Sequence, residues 1–202
     1  MKIGIPELDE LLGPLQKGSV ILIESSHGLG EAIIPYIIDA NKEKKSVIVI
    51  LPKGSPEITT LPREGIKTLI FGRDVDPDKL YELLRAIREL PEGALLIAIR
   101  LDFLFLRQQG KSLYMFLEDL MSTIQERKLI LIITLGKKSV SDRELAMFES
   151  MSTHVIDIIE EISELNVTHL LRIKKSYRGS TGFYTMKVKN GKIHLHELSD
   201  SS

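Results

Sequence analysis

Apolar positions divide the chain into two kinds of run. Residues 20–23, 47–51, 94–99 and 128–135 are nearly continuous blocks of Val, Ile, Leu and Ala, the pattern of strands buried on both faces of a parallel sheet. Residues 67–71 predict a further, short strand. Between the blocks, apolar residues recur at helical spacing. Leu8, Leu11 and Leu12 follow Pro6, and Gly13 supplies a stop. Ile33, Ile34, Ile37 and Ile38 share one face of a helix over residues 32–40. Leu80, Leu83, Leu84 and Ile87 follow Asp76-Pro77, a cap with proline at the first position, and Pro91 and Gly93 end that helix. Ser112 heads the longest stripe, Leu113, Phe116, Leu117, Leu120, Met121 and Ile124. Ser141 and Glu144 have capping-box spacing for a helix to about Met151.

Beyond Met151 the helical spacing disappears. Residues 153–159, 167–173, 182–189 and 192–197 predict strands, the last two joined by Asn190-Gly191, a type I′ hairpin signal. Residues 52–65, punctuated by Pro and Gly, predict a loop with at most a brief helical turn after Ser55-Pro56. Strand–helix alternation followed by a meander predicts one α/β domain over residues 1–198. It is a three-layer α/β/α sandwich with a central, mostly parallel sheet and antiparallel strands at its C-terminal side. Residues 199–202 read as a frayed tail.

Composition narrows the function classes. The chain has 202 residues, 43% apolar and 27% charged, enough for one full core. A net charge of −1 gives no global field toward nucleic acid or anionic lipid. There is no cysteine, so thiol nucleophiles, disulfides and zinc thiolates are excluded, and a reducing, cytoplasmic setting is expected. The opening residues lack the apolar core of a signal peptide, and no run is long enough to span a bilayer. Scarce Asn and Gln beside abundant Lys, Glu and Ile lean toward a thermophile.

Candidate chemistry starts where the first buried strand ends. Ser25-Ser26-His27-Gly28-Leu29-Gly30-Glu31-Ala32 stands between that strand and a helix, the layout in which backbone N–H groups at a helix start enclose a phosphate. The phosphate-loop pattern G-x-x-x-x-G-K-[ST] asks for a lysine where Glu31 stands and a hydroxyl where Ala32 stands. Where that pattern has a cation this chain has an anion, and where it has a magnesium ligand this chain has none, as in a broken phosphate site or in a loop that never was one.

The opening Gly4-Ile5-Pro6-Glu7-Leu8-Asp9-Glu10-Leu11-Leu12-Gly13 with Lys17-Gly18-Ser19, the glycine loop behind it, Thr134 closing the fifth strand, and Lys174-Lys175-Ser176-Tyr177-Arg178-Gly179-Ser180 resemble the RecA/KaiC-type ATPases. The likeness is to their single-domain KaiC-like branch and spans residues 4–197. It implies a RecA-like fold with a nucleotide site on the glycine loop. The departures are degenerate Walker A and Walker B motifs. Lys53-Gly54 precedes Ser55-Pro56-Glu57, where the family has an acidic pair that activates water. Arg100 falls where an acid would help hold magnesium, with Asp102 two residues on. Glu31 is expected either to pair with Lys53 or Arg100 and fill the pocket from inside, or to stand as a solvated first-turn acid at a helix start.

Other candidates have plainer readings beside them. His194 and His196 share a strand face, but no third ligand is evident, so no metal is expected. His27 reads as a loop histidine. Lys174, Lys175 and Arg178, near Tyr177, Phe183 and Tyr184, suit either an edge-strand charge cluster or a nucleic-acid contact. In the family this basic motif reaches the neighbouring subunit's nucleotide. Arg178 keeps the arginine, while Ser176 replaces the other basic residue. Phe103 and Phe105 read as interface or core.

The leading expectation is therefore a non-catalytic pseudo-ATPase acting through protein contacts, with itself or with an active relative, and needing no cofactor. The alternatives are a protein that holds ATP or ADP without efficient hydrolysis and a recombinase-like nucleic-acid accessory factor.

Overall fold

The computed structural model describes residues 1–26, 29–43, 46–62, 64–106, 110–163 and 166–198. The frayed tail expected at 199–202 lies outside them. The described strands form one sheet of nine, β1 Val20–Ser25, β2 Val47–Pro52, β3 Ile66–Phe71, β4 Leu95–Ala98, β5 Ile130–Gly136, β6 His154–Ser163, β7 Asn166–Lys175, β8 Gly182–Lys189 and β9 Lys192–Glu197. Their order is β3-β2-β4-β5-β1-β6-β7-β8-β9. Pairing from β3 to β6 is parallel, and from β6 to β9 antiparallel. The alternating elements therefore build the parallel half, and the meander extends one side of it.

Two apolar layers sandwich the sheet. On one face, α1 Pro6–Leu12 and α2 Ile34–Asn41 bury Leu8, Leu12, Ile34, Ile37 and Ile38 against Ile21, Ile23, Val49 and Ile132. On the other, α3 Leu80–Arg88, α4 Lys111–Glu126 and α5 Asp142–Met151 bury Leu83, Ile87, Leu117, Ile124 and Phe148 against Leu22, Ile50, Leu131 and Ile133. Strand alternation explains the division, because Ile21 and Ile23 point one way and Leu22 the other. Phe103 and Phe105 pack against this second layer, in edge contact with Phe71 and Phe148.

Local signals hold in most places. The Ser141–Glu144 capping box forms in both directions. Asn190 and Gly191 take the positive φ angles, 52° and 70°, that a type I′ turn requires. Three boundaries differ from expectation. The glycine loop enters a 3₁₀ turn over Leu29–Ile33, and α2 proper starts at Ile34, because Pro35 sits best in a first α-helical turn. Asp76 accepts a bond from the Asp78 N–H and makes a local turn, so α3 starts only at Leu80. Ser112 does not cap α4. Gly110 stands at that position with no side-chain cap.

Candidate functional site

The C-terminal edge of the parallel strands brings Glu31, Thr134, Arg100 and Asp102 together. Glu31 lies in the 3₁₀ turn after β1 and is 9% exposed. Its turn is drawn close to β1 at Gly30, where an added Cβ would sit 3.1 Å from Ile23 Cγ2. Thr134 Oγ1 donates to Glu31 Oε1 at 2.9 Å and accepts the Arg100 N–H at 2.8 Å. One hydroxyl thus ties the loop of β1 to the end of β4 through β5. Arg100 can offer its N–H there because the chain turns sharply after β4, with Arg100 at φ 54°.

Burial pushes the Glu31 carboxyl above its ordinary range. A backbone N–H, Thr134 and Arg100 offset part of that, and nearby Glu57 adds to it. Its second oxygen, Oε2, is buried and has no hydrogen-bond partner among the described residues. The contact pair expected from the sequence is replaced by this hydroxyl bond. Among the described residues no ion pair within 4.0 Å joins Glu31 to Lys53 or Arg100. Arg100 acts on it through space and lies 4.0 Å from Asp102. Lys53 is exposed beyond the end of β2. A short, dry hydroxyl contact forms where a longer lysine side chain would have to give up its water.

Asp102 is buried in the turn after β4 and accepts the Gly136 N–H at 3.3 Å. It therefore fastens β4 to β5. Ser55 donates to Glu57 at the foot of the loop after β2. His27 and Gly28 lie outside the described residues. Ser25 is buried at the end of β1, and Leu29, Gly30 and Ala32 follow around the turn.

The basic segment is largely committed inside the fold. The Lys174 ammonium donates to Glu24 at 2.8 Å and also bonds Glu149 of α5. Lys175 donates to the carbonyls of Glu149 and Ser150 at 3.2 and 3.3 Å. Arg178 stacks over the exposed ring of Tyr177 at 5.7 Å. It lines a cleft of about 200 Å³ with Lys17, Gly18 and His154. That cleft lies at the entry of β1, the opposite sheet edge from Glu31. His194 is engaged by Glu7 of α1 at 3.1 Å.

Sequence reasoning missed Glu24. It is fully buried in β1, with Oε2 unpartnered among the described residues, and burial pushes its carboxyl to about 7 despite Lys174. Asp157 lies opposite it on β6 and is held by Lys137 at 2.6 Å. Glu24, Lys174, Glu149, Asp157 and Lys137 thus form one half-dry charge cluster under α5. The available signal was an acid inside each apolar run, ILIES and HVIDII.

No protein-family model matches the chain, and no curated protein matches it. Among solved structures it is similar to a KaiC-like protein from the hyperthermophilic archaeon Pyrococcus horikoshii OT3. The TM-score is 0.73 at 17% identity, over 96% of this chain and 97% of that one. The fold is KaiC-like and RecA-type. No helix among the described residues is long and apolar enough to cross a membrane.

Proposed function

We propose that the chain is a cytoplasmic, non-catalytic KaiC/RecA-like domain whose phosphate pocket is filled by its own Glu31. It acts through protein contacts, with itself or with an active relative. The observation that carries this reading is the buried Glu31 carboxyl bonded to Thr134, in the turn where the resemblance calls for a lysine. Phosphoryl transfer depends on positioning and on neutralising charge. An anion in place of a cation at about 4 Å from a phosphate changes the interaction by roughly 4 kcal/mol per unit charge at an effective dielectric near 20. Ala32 offers magnesium no oxygen. Asp102, the acid nearest the end of β4, already has Gly136 and Arg100 as partners.

The far end of the β6–β7 hairpin supports the protein-contact part of this reading. Ile162 and Val167 face each other across it, 73% and 56% exposed. An apolar pair held in water suits an interface.

Phosphate release from magnesium-ATP tests the reading. The protein should release none above the buffer rate, alone or at high concentration. Turnover that follows the protein through purification would overturn it.

A further inference from the structure

Charge is distributed unevenly along this nearly neutral chain. Residues 166–196 contain seven lysines and arginines and not one aspartate or glutamate. The remainder carries 20 basic and 28 acidic side chains. A basic block of this kind points to a polyanion, provided its cations reach solvent together.

The fold sorts those cations. Lys174 and Lys175 are spent on Glu24, Glu149 and Ser150. Arg172, Lys187, Lys189 and Lys192 form no ion pair among the described residues, and all four are exposed. Strand alternation places them together. On β8, Tyr184 and Met186 point into the core, so Phe183, Thr185, Lys187 and Lys189 occupy the other face. Register adds their neighbours, with Arg172 opposite Phe183, His196 opposite Thr185, and Lys192 opposite Lys189.

This face also carries an aromatic ring. Phe183 is 44% exposed on the open side of the sheet, and the Arg172 guanidinium lies 4.9 Å from its centroid. An exposed ring under an arginine, followed by cations two residues apart, is about 20 Å of stacking platform and charged track at strand rise. Rigid duplex DNA offers phosphates but no bases to a flat sheet, because its bases are stacked and reached only through grooves. A single strand offers both.

We infer that the outer face of β7, β8 and β9 binds single-stranded nucleic acid, with Phe183 and Arg172 taking a base and Lys187, Lys189 and Lys192 following the backbone. The surface is independent of the Glu31 turn and does not require a nucleotide there.

Fluorescence anisotropy with labelled 20-mers of oligo-dT and oligo-U tests this, with a 20-base-pair duplex and heparin as competitors. Binding at 100 mM salt should weaken steeply as salt rises. Lys187→Gln/Lys189→Gln/Lys192→Gln should weaken it at least tenfold and flatten the salt dependence. Phe183→Ala should weaken it about fivefold or more with the salt slope unchanged. All four side chains are exposed, so both variants should melt with the wild-type protein. Failure to bind single strands overturns the inference. So does binding indifferent to Phe183, or displaced equally well by duplex or heparin, which would mark a general polyanion binder.

Discussion

The hydroxyl of Thr134 lies 2.9 Å from the carboxylate of Glu31 and takes the Arg100 N–H on its other side. Three segments far apart in sequence therefore meet on one small side chain. Thr134→Val keeps the shape and removes the donor. It should cost about 1–3 kcal/mol in urea unfolding, because a buried carboxylate oxygen and an amide both lose their partner. Glu31→Gln should cost less than this, since it keeps an acceptor and removes a charge that burial opposes.

Glu24 and Lys174 should behave as a unit. Lys174→Met leaves a buried carboxylate without its cation and should cost about 3–5 kcal/mol at pH 8. Glu24→Gln combined with Lys174→Met should recover most of that loss. A double-mutant cycle that is additive within 0.5 kcal/mol or so would contradict the coupling.

The same carboxyl gives a pH signature. Its folded value, about 7, lies above the ordinary 4.5. Between those values the folded state holds a proton that the unfolded chain has released. Stability from this group is therefore complete below pH 4.5 and is lost as pH rises through 7. Lys174 is pushed up from 10.5 and titrates outside this window. Subtracting the Glu24→Gln profile from the wild-type profile should leave a fall on the order of 1–3 kcal/mol between pH 4.5 and 7.5. A difference that rises with pH would contradict the assignment.

Gly179 holds the basic loop against α1. A Cβ there would lie 2.1 Å from Leu11 O and 2.7 Å from Leu12 C, both backbone atoms that cannot step aside. The same loop donates the Ser180 N–H to Leu11 O. Gly179→Ala should cost 2 kcal/mol or more, roughly the range of core overpacking. Gly54→Ala, with nothing within 4 Å of the new atom among the described residues, should stay within about 0.5 kcal/mol. Thermal melts of the two variants check the contrast.

The sheet was legible wherever burial on both faces leaves no polar residue, as in residues 20–23, 47–51 and 129–133. Alternation also separated the meander from the parallel half. The sequence did not show which polar residues would be buried. Asp102 read as lying past a strand end, yet the sharp turn at Arg100 returns it to the core, where it holds Gly136. Glu24 follows the first apolar run and drew no reading, yet α5 and β7 close over it with Lys174. Lys174 itself read as a surface cation for the same reason. Pairing across 150 residues is set by topology, and no local spacing encodes it. The outer charged face appeared only once the strand register was known.

The account depends most on Glu31 occupying the space that a triphosphate would need. Thermal melting with and without 5 mM magnesium-ATP reads this directly. Affinity for the native state at a Kd of about 50 µM would add about 2.7 kcal/mol at that concentration, equivalent to roughly 5–11 °C for a chain of this size. The account predicts a shift under about 1 °C on that scale. A rise of several degrees with magnesium-ATP, absent with magnesium alone, would contradict it.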